Sequence, residues 1–257
     1  MCELFGLTGP DELTVNEYLK TFFHHSTEHP NGWGLAIFRG NEVNIEKEPV
    51  PAFRSKYLKE RLKSPIRSGT LMGHIRFATR GHMEYDNCHP FMKKDISGRS
   101  WTFMHNGTIF DCPLLDRYFY TQLGQTDSER ILLCMIDRIN EETLQQGHAL
   151  TDRERFDVIN RTVLDITAHN KVNFMLYDGD LFYIHKNMKN SMFVKCLGQS
   201  LLFATSPLDD QNWEPVPLCQ LLAYKNGRHI LTGTIHPNEY IADPKDMKLI
   251  FLDYATL

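Results

Sequence analysis

No apolar run in the sequence approaches the roughly 20 residues that a membrane-spanning helix requires. The opening MCELFGLTGP lacks the basic n-region and long apolar stretch of a secretory signal. The sequence therefore reads as cytoplasmic, with no membrane partner. Basic blocks are missing too. Net charge is −4 and the isoelectric point about 6.3, so nothing electrostatic points to a nucleic-acid partner. The six cysteines, at 2, 88, 112, 134, 196 and 219, include no CxxC pair. With no export signal they imply neither a disulfide framework nor a zinc site. There is no Walker loop, no GxGxxG and no GxSxG, which removes the sequence support for nucleotide chemistry and for a serine hydrolase. No cofactor and no metal are expected. No repeat, low-complexity tract or Gly/Ser/Pro-rich linker divides the 257 residues, and one domain over 1–257 is expected.

What is present is ordinary globular composition, 42% hydrophobic and 23% charged, with enough chain for a sizeable core. Three Thr-x-x-Glu patterns, Thr14 with Glu17, Thr126 with Glu129 and Thr151 with Glu154, read as helix starts. Behind Thr126, Ile131, Leu132, Met135, Ile136 and Ile139 share a helical face. Behind Thr151, Phe156, Ile159, Val163 and Ile166 do the same. Short strand-like runs fall at 2–8, 33–39, 42–48, 70–78, 101–105, 172–177, 181–185, 201–205, 220–224, 228–232 and 249–254. Asp178-Gly179 and Asn226-Gly227 read as hairpin turns, hence antiparallel pairing. Antiparallel strands with amphipathic helices outside them suggest α+β layering. Cys134, on an apolar helical face, is expected to be a buried thiol.

Four places could carry chemistry. Cys2 follows the initiator Met, and removal of Met1 would make it the N-terminal residue. A terminal Cys has its own base, because an α-amine of pKa about 7.7–8.0 stands beside a thiol of about 8.5. In the segment 73–81, Gly73, Ile75 and Phe77 alternate with His74 and Arg76, so an Arg lies beside a core strand. Such an Arg must meet an anion or another partner, and a structural carboxylate would serve. The run 101–107 ends in Asn106-Gly107, a turn signal that could equally supply an oxyanion hole from an amide side chain and an open backbone N–H. Asp127 falls in the first turn of a helix. The helix dipole favours it there, and it could also bind a substrate ammonium. The histidines at 24, 25 and 29 cluster near the end of the first helix but lack Asp or Cys partners at ligand spacing. They read as a solvated helix end. Cys88 and His89 are neighbours on extended chain and point apart, so they form no dyad.

Taken in order, Met1-Cys-Glu-Leu-Phe-Gly6, His29-Pro-Asn-Gly-Trp-Gly34, Gly73 to Gly81, Asn87-Cys-His-Pro-Phe91, Gly98 to Gly107 and Thr126-Asp-Ser-Glu129 make the chain resemble class II glutamine amidotransferases. These are the Cys-type N-terminal-nucleophile amidohydrolases, and the likeness is strongest to the stand-alone YafJ-like group. A weaker echo at Ala204-Thr-Ser-Pro-Leu208 and Trp213 extends it over about 1–215. The resemblance implies a four-layer αββα sandwich of two antiparallel sheets. It implies that Cys2 attacks the γ-amide carbon of glutamine and forms a γ-glutamyl thioester. It implies an oxyanion held by Asn106 and the Gly107 amide, a substrate carboxylate met by Arg76 and an ammonium met by Asp127. Thr79 and His89 match positions near the site and are assigned supporting roles in substrate binding.

The expected partner is a small molecule, glutamine or a γ-glutamyl compound. The ammonia either passes to a synthase partner protein or is released. The alternatives are a γ-glutamyl peptide hydrolase of thiol metabolism, a bile-salt or penicillin acylase type of amidohydrolase, and a non-catalytic module on the same fold. The Arg76, Asn106-Gly107 and Asp127 motifs favour glutamine over acyl-amides, and the complete set argues against a module without chemistry.

Overall fold

The computed structural model describes residues 2–40, 42–78 and 81–243. Among them thirteen strands form two sheets. The first sheet uses β1 (Glu3–Thr14), β2 (Trp33–Arg39), β3 (Glu42–Glu48), β4 (Arg67–Ile75), β9 (Phe193–Leu197), β10 (Ser200–Ala204) and β11 (Glu214–Pro215), in the order β11-β9-β10-β1-β4-β2-β3. The second uses β5 (Phe91–Lys94), β6 (Ser100–Thr108), β7 (Lys171–Tyr177), β8 (Phe182–His185), β12 (Leu222–Lys225) and β13 (Arg228–Thr232), in the order β13-β12-β8-β7-β6-β5. Neighbouring strands in both sheets run antiparallel. The helices are α1 (Asn16–His24), α2 (Lys56–Arg61), α3 (Pro113–Asp116), α4 (Asp127–Gln146) and α5 (Asp152–Ile166).

Three apolar clusters fix the layers. Leu4, Met72, Met104, Met175, Phe182 and Phe203 interlock between the sheets. Phe5, Leu71 and Ile75 pack against Leu19 and Phe22 of α1 on the outer face of the first sheet. Trp101, Phe103, Phe174 and Leu176 meet α4 and α5 on the outer face of the second. This is the expected αββα sandwich. The stripes read from sequence on α4 and α5 are all buried in that last cluster. Because both faces of each sheet are covered, alternation along β4 does not separate core from solvent. Leu71 and Ile75 face α1 while Met72 and His74 face the other sheet, and all four are buried.

The three proposed helix starts differ in detail. Thr151 and Glu154 form a full capping box: the Glu154 amide donates to Thr151 Oγ1 at 3.3 Å and the Thr151 amide to the Glu154 carboxylate at 2.8 Å. Thr126 caps α4, but Glu129 turns its carboxylate to the amides of Leu123 and Gly124, at 2.7 and 2.8 Å, and braces the loop before the helix. Thr14 is still in β1. Helix α1 starts two residues later without a side-chain cap, because the cap residue Val15 has no acceptor to offer, and Asn16 is engaged with the backbone of Leu62, Ser64 and Ile66. The runs at 33–39, 42–48 and 228–232 match their strands, and the two hairpins are present. Asn226 and Gly227 both take positive φ, 50° and 75°, as a tight turn between twisted strands demands. The 70–78 run ends early at Ile75, since 76–78 leave the sheet to pair with Asn31 and Gly32. Strands β5, β9 and β11 are short and irregular in pattern and were not anticipated. The run 249–254 lies outside the described residues.

The hairpin at 178–181 is held by a buried ion pair. Asp178 Oδ2 accepts from Arg155 Nε at 2.7 Å and Tyr183 Oη at 2.9 Å, while Oδ1 accepts from the amides of Asp180 and Leu181. Asp178→Ala leaves Arg155 to partly exposed partners such as Asp152, at 3.0 Å, and deprives Tyr183 and two hairpin amides of their acceptor, so we expect a loss of about 3 kcal/mol, read as a lower urea midpoint.

Candidate active site

Strand alternation explains which side chains meet. Cys2 has the parity of Leu4, His74 and Arg76 that of Met72, Asn106 that of Met104, and Lys171 that of Met175. These four reference residues all face the space between the sheets. The polar residues therefore collect at one end of the inter-sheet core. A small pocket there is lined by Cys2, Arg76, Phe77, Ala78, His89, His105, Gly107, Thr126, Asp127 and Ser128.

The Cys2 thiol stands where β1 would otherwise continue its ladder. It accepts from the Phe77 amide and donates to the Phe77 carbonyl, both at 3.3 Å. Burial pushes the thiol pKa up, and the Phe77 hydrogen bond and the charges of Arg76 and Lys171 only partly oppose it. Cys88 is buried and pushed up to about 11, chiefly by desolvation, as is Cys134, the buried thiol expected on α4.

Arg76 is 2% exposed. Among the described residues its hydrogen-bond acceptors are backbone carbonyls: it donates to Gly81 and His82, both at 2.9 Å, and to Asn31 at 3.5 Å. It thus holds the segment that follows β4. Asn87 and Gln125 stitch the same segment to the loop before α4. Asn87 Nδ2 donates to the His82 carbonyl at 3.0 Å and to Gln125 Oε1 at 2.6 Å, and the Gln125 amide donates to Asn87 Oδ1 at 2.7 Å. Thr79 lies outside the described residues.

Asp127, the first residue of α4, is buried and accepts the Ile109 amide at 2.7 Å through Oδ2. His105 ties this helix to β7. Its Nε2 faces the Lys171 carbonyl at 3.2 Å and must carry the proton, so Nδ1 accepts from Ser128 Oγ at 3.0 Å. His74 Nε2 donates across the sheets to the His105 carbonyl at 3.3 Å. His89 stacks on His74 with ring centroids 4.1 Å apart. It is buried, and neither of its ring nitrogens has a protein partner among the described residues. Burial lowers the pKa of all three histidines, that of His74 to about 3.

Gly107 is required by space. A Cβ there would stand 1.9 Å from the Lys171 carbonyl and 2.2 Å from His105 Nε2. Gly34 is similar, since a Cβ would fall 1.9 Å from the His89 carbonyl; the GWG motif lets the His89 segment pack on β2. Asn106 is buried with Oδ1 3.0 Å from Lys171 Nζ.

The sequence reading missed Lys171, His105 and Ser128. A lysine opening a strand reads as surface, and only the two-residue alternation with Asn173 and Met175 could have turned it inward. The histidine cluster at 24, 25 and 29 also differs from expectation. His24 is exposed, but His25 Nδ1 meets Glu3 at 2.7 Å and His29 is mostly enclosed at 3.8 Å from the same carboxylate. Among the described residues no group of three or more His, Cys, Asp and Glu could hold a metal, and no helix is long and apolar enough to cross a membrane.

With fold and pocket in view, comparison with known proteins gives the class. The family model described as class-II glutamine amidotransferases matches residues 1–197, and the chain belongs to that family. An uncharacterised protein of Methanocaldococcus jannaschii is 28% identical over 261 aligned residues, covering 91% of this chain and 72% of that protein. The Escherichia coli protein YafJ is 31% identical over 144 residues, 55% of this chain and 56% of YafJ. The fold is shared with glutamine phosphoribosylpyrophosphate amidotransferase of Bacillus subtilis, with a TM-score of 0.69 at 17% identity, covering 93% of this chain and 50% of that one. It is shared too with a glutamine aminotransferase class-II domain protein of Silicibacter pomeroyi, with a TM-score of 0.61 at 16% identity, covering 94% and 100%. This chain thus spans about half the length of YafJ and of the Bacillus enzyme.

Two outcomes test the site's physics. Gly107→Ala forces β6 and β7 apart and should cost about 1–3 kcal/mol by overpacking, seen as a lower thermal midpoint. In protein that retains Met1, iodoacetamide alkylation of Cys2 should rise with pH through a midpoint above about 8.5, because only the thiolate reacts and burial disfavours it. A midpoint below 8.5 would mean that the surrounding charges outweigh desolvation.

Proposed function

We propose that this chain hydrolyses the γ-amide of glutamine or of a γ-glutamyl compound, with Cys2 as nucleophile once Met1 has been removed. The observation that carries this reading is the convergence of Cys2, Arg76, Gly107 and Asp127 on one pocket. The thiol proton passes to the Cys2 α-amine as sulfur attacks the amide carbon. The amine then returns that proton to the leaving nitrogen as the C–N bond breaks. Water cleaves the γ-glutamyl thioester, giving glutamate and the free thiol.

The α-amine is the better base on offer. Burial pushes the pKa of His74 to about 3 and that of His89 well down, which makes both weak proton acceptors. Asn106 and the Gly107 amide receive the oxyanion. Asp127 receives the substrate ammonium, and Arg76 supplies positive charge for the carboxylate. Arg76 already holds the Gly81 and His82 carbonyls, so carboxylate binding is coupled to the position of that segment. His89 offers a neutral imidazole to the substrate, and Thr79 a supporting contact. The released ammonia goes to a synthase partner or to solvent, and the whole chain, 1–257, acts as one amidotransferase domain.

Release of glutamate from glutamine, γ-glutamyl peptides and acyl-amides, measured side by side, tests the reading. Cys2→Ala should lose more than the roughly 10²–10³-fold that follows removal of one oxyanion donor. Turnover close to wild type in that variant would withdraw the mechanism. Asn106→Ala should lower kcat more than it raises KM, and Arg76→Ala should act mainly on KM, since only the oxyanion is confined to the transition state. The glutamine analogue 6-diazo-5-oxo-norleucine should label Cys2 and none of the other five cysteines. A peptide map with the adduct on Cys88 or Cys112 would overturn the assignment.

A further inference from the structure

Lys171 opens β7 behind the residues that line the pocket and is only 2% exposed. It is placed there by several contacts. Its residue pairs with Thr108 across the β6–β7 ladder, its carbonyl accepts His105 Nε2, and the missing Cβ of Gly107 lets that carbonyl approach β6. From this position its Nζ donates to Asn106 Oδ1 at 3.0 Å. An amide side chain can sit either way round with almost the same shape. A lysine ammonium has hydrogens to give and no lone pair to receive, so the end of Asn106 that faces it is the oxygen. Asn106 Nδ2 then has no protein acceptor among the described residues and remains available as a donor. Turned the other way, Asn106 would bring an oxygen towards a developing oxyanion and repel it.

We propose that Lys171 is the positioning residue of the oxyanion hole, holding the Asn106 amide with Oδ1 turned to Nζ and Nδ2 left for the reacting carbonyl oxygen. The inference rests on the proposed role of Asn106. Burial lowers the Lys171 pKa to about 8, while the neighbouring Cys2 sulfur opposes the shift. A neutral amine gains a lone pair and no longer dictates which end of the amide faces it, so the orientation is enforced below about pH 8, where the ammonium predominates. The lysine need not touch substrate to act. Its effect belongs to the transition state, where charge appears on oxygen, and not to the bound glutamate head group.

The test compares two ligands and two turnover constants. Glutamate γ-semialdehyde adds the Cys2 thiol across its C=O bond, turning the carbonyl oxygen into the oxygen of a tetrahedral adduct, whereas L-glutamate binds without forming one. Lys171→Met should weaken inhibition by the aldehyde roughly 10–100-fold, somewhat less than outright loss of a donor, and leave glutamate binding unchanged. It should lower kcat by a similar factor with KM nearly constant. Adding Lys171→Met to Asn106→Ala should cost nothing further, because the lysine acts through that amide. A merely structural lysine would weaken both ligands alike, and a full additional loss in the double variant would overturn the proposal. If Lys171→Met does not fold, the same cycle is run with Lys171→Gln, whose amide can turn either its oxygen or its nitrogen to Asn106 and so no longer dictates which way that side chain sits; loss of aldehyde affinity with glutamate binding kept supports the proposal, and equal loss for both ligands overturns it. Should Cys2→Ala or Asn106→Ala keep full activity, it is the parent reading that fails. Should those two lose activity while Lys171→Met and Lys171→Gln keep the wild-type aldehyde affinity, only the present inference fails.

Discussion

One hydrogen bond between the sheets, from the His74 ring to the His105 carbonyl, joins the two halves of the site. On one side of it lie Cys2 and Arg76, carried by β1 and the end of β4. On the other lie Asn106 and Gly107, carried by β6, with Asp127 behind them. The apolar interlock of Met72, Met104 and Met175 gives way here to polar side chains, and a buried polar group is costly unless it has a partner. His74 and His105 supply partners, and burial, which lowers the pKa of both, favours their neutral forms. A polar end to an otherwise apolar core follows from that crossing contact and the network around it.

The loops that frame the pocket obey the same requirement. Arg76 holds three backbone carbonyls, the Asn87 and Gln125 amides pair with one another and with His82, and Glu129 holds the amides of Leu123 and Gly124. Each of these side chains could have been read as serving a ligand or a helix cap. In the fold they first order irregular backbone. A charged residue beside a strand end is thus spent, in this fold, on fixing the backbone that follows it.

How much of this was legible in the sequence depends on how local each cause is. Asp127 and the α4 stripe were visible because a helix start and a 3.6-residue period are each written within a few positions, whereas Asn106-Gly107, which reads as a turn signal, lies inside β6 and pairs with β7. The αββα layering was legible through the resemblance, whereas alternation alone misjudged β4 by treating its second face as different from core. Thr14 looked like a cap because its spacing was right, yet β1 extends through it and Asn16 has a partner some fifty residues on. Lys171 was illegible for the same reason. Its partner, Asn106, is 65 positions away, and nothing near Lys171 in sequence distinguishes it from a surface lysine.

The place of β1 in the middle of its sheet also sets an order of assembly. Its neighbours are β4, some sixty residues on, and β10, whose Ala204 pairs with Phe5. At about 5–20 residues per second, a nascent chain reaches β10 roughly 10–40 s after β1 has been made. Throughout that interval the strand that carries Cys2 has one open edge, with backbone groups ready to pair with any extended segment that arrives first. The strand made earliest is therefore among the last to be enclosed, and a chain that stops short of residue 200 keeps that edge exposed at the centre of what should be its sheet.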